Sequence, residues 1–308
     1  MKILKLMTLG VIALATMTAC SDDDDNGGSG SSKAVLKVNG ERLVAVNRYE
    51  ITYDAQGRVS EINGQYDDER LKINYSKGTI IADGEGGSVK FTSEGYIAEA
   101  SASWDEKDEG YRYKGSGTLK FTYTNGVLTK VVSTSTETET SPNNKTTKWQ
   151  EQETTTLTWN AGNLMRIKTT GWESENGEKD TWEETYKMEY GEQTNTFRQF
   201  SMVIADYGLD FDGTLGVLAA VGLFGKGTTL LPTDLQETDD DGYNWGTSIR
   251  FTLNSNFSIS QESYSYNTYN YYYSGDNDAK TRAESAAKDD AKKLNLRTMF
   301  VKSHRRNK

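Results

Sequence analysis

Few side chains in this chain could carry catalysis. Of 308 residues one is histidine and one is cysteine. His304 lies close to the C-terminal end, so the body of the chain offers no imidazole for a general base, a Ser-His-Asp triad or a histidine-based zinc site. Carboxylates are abundant: 45 Asp and Glu stand against 35 Lys and Arg, for a net charge of -10. Two acids about 5 to 10 Å apart suffice for glycoside hydrolysis, but with 45 acids such a pair arises by chance. The densest group, Glu173, Glu175, Glu178, Glu183 and Glu184, reads as a solvated hairpin face, because a raised carboxylate pKa requires burial. Asp239-Asp240-Asp241-Gly242 lacks the alternating ligands of an EF-hand loop and reads as a turn. No glycine-rich loop joins a strand to a helix in the manner of a phosphate cradle. The expectation is a non-enzyme with no cofactor and no metal.

Aromatic residues are the better binding candidates. Trp104, Tyr111 and Tyr113 flank one turn, Trp149 follows a second, and Trp172 and Trp182 flank a third. Indoles repeated along one rim could stack on sugar rings or anchor a protein partner; cross-strand pairing that stabilises long arms is the alternative. The stretch Tyr264 to Tyr273 holds tyrosines in both phases of a strand, among them Tyr269 and Tyr271, which predicts exposed rings and a contact surface.

The elements that must position these side chains are strands. From Ala34 on, β-branched and aromatic residues alternate with polar ones between Gly and Asn-Gly turns. A unit recurs: an aromatic, a glycine three or four residues on, then an aliphatic residue two later. It is seen at Tyr53-Gly57-Val59, Tyr75-Gly78-Ile80, Phe91-Gly95-Ile97, Tyr123-Gly126-Leu128 and Trp159-Gly162-Leu164. The aromatics at 91, 123, 159 and 190 leave room between them for two strands, a tight turn and a distal turn. The spacing predicts a mainly β fold, an antiparallel up-and-down meander of long hairpins forming a curved sheet or open barrel. The apolar run 214–224 breaks the alternation and predicts one short buried helix near 213–224, with Asp212 as its cap. The segment 275–308 reads as a polar, basic tail with a loosely attached helix.

The N-terminus carries an address. A basic start and an apolar run lead to Met17-Thr18-Ala19-Cys20, followed by Ser21 and four aspartates. These residues resemble a bacterial lipobox, which implies a signal peptide over 1–19, cleavage before Cys20 and acylation of that cysteine. Residues 20–33 then form an acidic, Gly/Ser-rich tether to a single β domain over 34–274. Loss of Lys2 and Lys5 with the leader takes the net charge from -10 to -12, which argues against nucleic acid as a partner and against electrostatic attraction to anionic lipid. The acidic run after Cys20 resembles that of surface-exposed lipoproteins of the Bacteroidota. Tyr53-Asp54-Ala55-Gln56-Gly57-Arg58-Val59 is similar to the YD repeat of Rhs-type β-rich shells. Together with the serial Gly-turn hairpins and the apolar insert ending near Leu230-Leu231-Pro232-Thr233, these resemblances imply an outer-membrane, lipid-anchored protein facing the cell exterior and carrying a β domain with no assigned chemistry.

The expected function is a surface-exposed binding or interaction module of the cell envelope, with a glycan or an envelope protein as ligand. Its membrane attachment runs through lipidated Cys20. The alternative is an envelope structural or apolar-ligand-carrying protein. A carboxylate-dependent glycan hydrolase comes third.

Overall fold

The computed structural model describes residues 36–38, 40–64, 70–82, 85–108, 110–211, 213–239, 244–265 and 267–275. Cys20, the tether, Asp212, Tyr266 and the tail from residue 276 lie outside them, as do Asp240 to Gly242. Seventeen strands follow in chain order: β1 (Lys37–Val38), β2 (Glu41–Val46), β3 (Tyr49–Tyr53), β4 (Val59–Gly64), β5 (Arg70–Asn74), β6 (Thr79–Ala82), β7 (Glu85–Phe91), β8 (Ile97–Asp108), β9 (Tyr111–Thr124), β10 (Val127–Thr140), β11 (Thr146–Asn160), β12 (Asn163–Glu175), β13 (Glu178–Thr194), β14 (Leu230–Asp239), β15 (Asn244–Leu253), β16 (Ile259–Tyr264) and β17 (Asn267–Tyr273). From β2 to β17 each strand pairs antiparallel with the next.

The meander closes. Tyr271, Tyr272 and Tyr273 of β17 pair with Val46, Ala45 and Leu43 of β2, so sixteen strands form a barrel rather than the open curved sheet left as an alternative by the sequence. The short β1 adds to the start of β2, at Lys37↔Arg42 and Val38↔Glu41. Closure satisfies the backbone groups of strands that would otherwise be edges.

The recurring aromatic-glycine-aliphatic unit has a structural purpose. The ladder is irregular just before the aromatic at Thr52/Tyr53, Lys90/Phe91, Thr158/Trp159 and Glu189/Tyr190, which turns the ring toward the neighbouring hairpin. There, and likewise at Tyr123, where the shift falls opposite at Leu128/Lys130, the polar tip donates to the carbonyl of an earlier aliphatic residue: Tyr123 Oη to Ile97 at 2.7 Å, Trp159 Nε1 to Leu128 at 2.7 Å, and Tyr190 Oη to Leu164 at 2.6 Å. Tyr53 Oη bonds the Leu43 carbonyl at 2.6 Å in the same way. Burial pushes the phenols of Tyr53, Tyr123 and Tyr190 well above the ordinary tyrosine pKa, so they remain donors. The aliphatic residues of the unit, Val59, Ile97, Leu128 and Leu164, are fully buried. The turn at Tyr53 to Val59 is also held by Asp54, whose carboxylate accepts from the backbone N–H of Gln56 and Arg58 and from the Arg58 guanidinium. Burial raises the Asp54 pKa, and those donors outweigh it, leaving the group below the usual carboxylate range.

The short-turn end of the barrel is plugged. The segment from Asn195 to Thr229 contains two helices where the sequence predicts one: a π-helical turn, Ile204–Gly208, and α1, Gly213–Ala220. From Thr214 to Ala220 every residue of α1 is buried, as expected of a helix apolar on all sides. Phe211 and Phe224 pack against Phe121 of β9, with centroids 6.1 and 4.9 Å from it. Gly216 permits this packing, since a Cβ there would sit 2.7 Å from the Phe211 carbonyl oxygen. The plug is tied to the rim by backbone bonds from Ile97 N to Leu223 O, Lys226 N to Gly126 O and Thr229 N to Gly162 O.

The outer wall is polar. In β9, Leu119 and Phe121 face the core, so Lys114, Ser116, Thr118, Lys120 and Thr122 face outward. In β11 the outward positions are Lys148, Gln150, Gln152, Thr154, Thr156 and Thr158. A barrel that spans a bilayer needs an outward apolar band about 25 Å tall, and each Lys at its middle costs about 2 to 4 kcal/mol. The outward faces of β9 and β11 are therefore surfaces for water.

Candidate functional site

Strands β8 to β13 outrun the rest of the barrel, and their far ends form a mouth opposite the plug. The inner wall there is layered. Val131, Leu157, Ile167 and Tyr186 belong to the apolar core. Above them lies a belt of buried hydroxyls, Ser133, Ser135, Thr155 and Thr169, with Thr155 Oγ1 3.0 Å from Thr169 Oγ1. Above the belt the inward positions become acids and indoles.

Two mirror-related triplets stand out in this layer. Trp104 of β8 and Glu137 of β10 both pair with Gly115 of β9, and the indole Nε1 donates to Glu137 Oε2 at 2.9 Å. On the other side, Trp182 of β13 and Glu153 of β11 both pair with Gly171 of β12. Glycine is required at the centre of each, because a Cβ on Gly115 would come within 2.6 Å of the Trp104 ring and one on Gly171 within 2.2 Å of the Trp182 ring. The indoles thus lie across the neighbouring strand, with the buried carboxylates of Glu137 and Glu153 beyond.

Farther out, Glu151 of β11 pairs directly with Glu173 of β12, and Glu173 with Asp180 of β13. Glu175 and Glu178 oppose one another in the next row, and Trp149 lies between Glu137 and Glu175. Like charges directly opposite across a ladder are destabilising. Among the described residues of β8 to β13, no Lys or Arg shares this inner face; the bases Arg112, Lys114, Lys148, Arg166, Lys168 and Lys179 all face outward. The ends of the arms are tied together: Asn176 N bonds Lys148 O at 2.8 Å, and Asn176 Oδ1 accepts from Lys148 N at 2.9 Å.

The sequence-predicted aromatics therefore divide. Trp104 is buried, and Trp149 and Trp182 are half-buried on the inner wall. Tyr111 lies near the turn at the tip of β8 and β9, stacked with Tyr113 at 6.3 Å, and is exposed. Trp172 does not join them: paired with Gln152 and Thr181, it is on the outer face, with Lys179 Nζ 4.1 Å from its ring centroid. The cluster Glu173, Glu175, Glu178, Glu183 and Glu184 also splits: Glu183 faces outward to Lys168 at 2.7 Å, Glu173 and Glu184 are half-buried on the opposite face, and Glu175 and Glu178, at the end of the arm, are exposed as a solvated hairpin would have them.

Tyr269 and Tyr271 are not surface rings. The turn between β16 and β17 shifts the strand phase, so Tyr264, Tyr269, Tyr271 and Tyr273 all point at the plug. Tyr271 Oη donates to Glu262 at 2.6 Å and Tyr269 Oη to Asp206 at 2.6 Å. Glu262, which sequence reasoning missed, is fully buried and accepts from Tyr271, the Ser201 hydroxyl, Met202 N at 2.9 Å and Val203 N at 3.2 Å. It caps the helical run that enters the plug. Burial raises its pKa, and the four donors oppose that rise. The available signal was parity: Glu262 shares the inward phase of Tyr264.

No group of three or more His, Cys, Asp or Glu side chains poised for a metal ion occurs among the described residues. No family model and no curated protein matches the sequence. Among solved structures, a porin-like protein from Bacteroides vulgatus ATCC 8482 is similar over 76% of this chain and 99% of its own, at 14% identity and a TM-score of 0.49. A porin-like protein from Bacteroides uniformis ATCC 8492 is similar over 66% of this chain and 95% of its own, at 14% identity and a TM-score of 0.26. At these values neither lends its description to this chain.

Proposed function

We propose that this protein is a non-catalytic binding module of the cell envelope, held at the outer membrane by lipidated Cys20, and that its barrel stands in water with the mouth receiving a cationic ligand such as a basic peptide. The observation that carries this reading is the row of Glu151, Glu173 and Asp180, directly opposite one another across β11, β12 and β13, with the described bases of those strands on the other face. A positive ligand is attracted by carboxylates so arranged, since like charges directly opposite across a ladder disfavour one another. Trp149 and Trp182, half-buried on the same wall, add ring faces for cation–π contact. The ligand is extended rather than a single metal ion, because the acids are spread across three strands. Attachment by acyl chains agrees with the lipobox-like Met17 to Cys20 and with the polar outer wall of β9 and β11.

Two measurements test the two halves. Radiolabelled palmitate should enter the wild-type chain in cells and not a Cys20→Ala variant; unlabelled wild type would remove the anchor. The chain from Ser21 onward should bind oligolysine with an affinity that falls steeply with salt. Retention of neutral oligosaccharides at the mouth instead would overturn the charge-based reading.

A further inference from the structure

The turn joining β15 to β16 lies at the short-turn end and departs from its counterparts at one position. Asn254 to Ser258 repeats the hydrogen bonding of Asp54 to Arg58 and Thr92 to Tyr96: Asn254 N bonds Ser258 O at 2.9 Å and Phe257 N bonds Asn254 O at 2.9 Å. Gly57 and Gly95 hold the left-handed position in the other two turns, at φ 79° and 90°. Here it is Phe257, at φ 66°, and its side chain is 64% exposed. A bulky residue in the left-handed region is strained, and an aromatic ring in water gains nothing from the fold. The turn is also without charge, where its counterparts carry Asp54, Arg58 and Glu94. Its tip can leave water without stripping an ion of its hydration.

The chain enters the barrel beside this turn. The described residues begin at Leu36, whose N–H bonds the Val221 carbonyl of the plug at 3.0 Å. The β1–β2 hairpin that follows turns at the short-turn end, where the Arg42 guanidinium lies over the Tyr53 ring at 5.1 Å. Glu41 of that hairpin borders one cleft with Asn254, Ser255 and Asn256, its carboxylate lying against Gly275. Leu36 follows Cys20 by 16 residues. A Gly/Ser-rich chain of that length spans about 22 Å on average, whereas a strand such as β10, with 14 residues, runs about 45 Å. An anchor at Cys20 therefore brings the short-turn end, not the mouth, to the membrane. Phe257 at that end is the most exposed large apolar side chain among the described residues.

We propose that Phe257 is a membrane contact, inserted at the headgroup boundary of the bilayer that holds the chain, so that the short-turn end rests on the lipid surface and the mouth faces away from it. The proposal rests on attachment at Cys20. One ring partitions weakly by itself, but a tether that keeps it at high effective concentration lets a weak contact orient the barrel. The test uses the chain from Ser21 onward with an N-terminal hexahistidine, held on phosphatidylcholine vesicles by a nickel-chelating lipid. Its result is thus independent of acylation, which palmitate labelling decides. The sole cysteine of the sequence is Cys20, so Ser255→Cys or Thr146→Cys places a single NBD fluorophore, the first beside Phe257 and the second at the mouth. Both positions are exposed. Emission from the Ser255 site should shift to the blue and be quenched by lipid carrying a doxyl group near its headgroup, and emission from the Thr146 site should do neither. Adding Phe257→Gly, which restores the residue of the sister turns and relieves strain, should cut quenching at the Ser255 site at least threefold. No quenching at that site, equal quenching at both ends, or equal quenching with and without Phe257 would overturn the proposal. So would a concentration-dependent blue shift of the Ser255 site without vesicles, which would mean that a second copy covers Phe257.

Discussion

The indole of Trp104 reaches past Gly115 to place its Nε1 2.9 Å from the Oε2 of Glu137, two strands away on the inner wall of the barrel. The contact buries both groups, so each depends on the other. Removing the donor in Trp104→Phe leaves a buried carboxylate short of one partner and should cost about 1 to 3 kcal/mol, read as a lower midpoint in urea. Gly115→Ala and Gly171→Ala introduce a methyl group where an indole now lies, and each should cost about 1 to 3 kcal/mol from overpacking. Tryptophan emission should shift red in both, because the displaced ring meets water. Unchanged stability and emission in both alanine variants would show that the indoles do not lie across those strands.

Glu262 fastens β16 to the start of the plug, and its loss should be felt throughout the barrel. Glu262→Ala leaves the N–H groups of Met202 and Val203 and the hydroxyls of Ser201 and Tyr271 without their acceptor, and should cost about 3 to 5 kcal/mol.

The same carboxyl makes a signed prediction about pH. Its folded pKa is raised above the unfolded value, so the folded state binds more protons across the window between the two. The contribution to stability is therefore fully present below the unfolded pKa, near 4.5, and is lost as pH rises through the folded value. The difference in unfolding free energy between wild type and Glu262→Gln, which lacks the titration, should shift in favour of wild type between pH 8 and pH 4. A difference that moves the other way would mean that the four donors have depressed this pKa.

The stitches between hairpins should be separable. Tyr123→Phe and Tyr190→Phe each delete one bond, to the Ile97 and Leu164 carbonyls, and should cost about 0.5 to 1.5 kcal/mol without altering the circular dichroism of the sheet. Phe257→Gly should go the opposite way and stabilise by about 1 kcal/mol, since it removes a left-handed non-glycine residue and buries nothing less.

The repeat was legible because aromatic, glycine and aliphatic residues each do local work that a short window records: bulge and stitch, tight turn, core contact. The run 214–224 was legible as buried because it is apolar on all sides. Closure was not, for it rests on β17 meeting β2 more than two hundred residues away through a short run, Tyr271 to Tyr273, flanked by bonds from Asn47 N to Asn270 O and from Ser274 N to Arg42 O. Face assignment failed where phase changes hands. Trp172 is an odd number of residues from Ile167 and so must point outward, while Ser265, at φ 46° in the β16–β17 turn, resets the tyrosine phase and turns Tyr269 and Tyr271 inward. The acidic arms read as solvated because an isolated hairpin has two wet faces, and at their ends Glu175, Glu178 and Asp180 are exposed. Nearer the barrel Glu173 and Glu184 are half-buried on one face, and the bases lie on the other.

The decisive measurement is the salt-dependent titration of oligolysine into the chain from Ser21 onward, wild type against Glu151→Gln/Glu173→Gln. Those two half-buried acids can lose charge without opening a cavity. Binding is expected at low ionic strength, weakened at least tenfold by the double substitution and weakened further by salt, with the fold intact. An absence of binding at low salt, or equal affinity in the two proteins, would contradict a cation-receiving mouth.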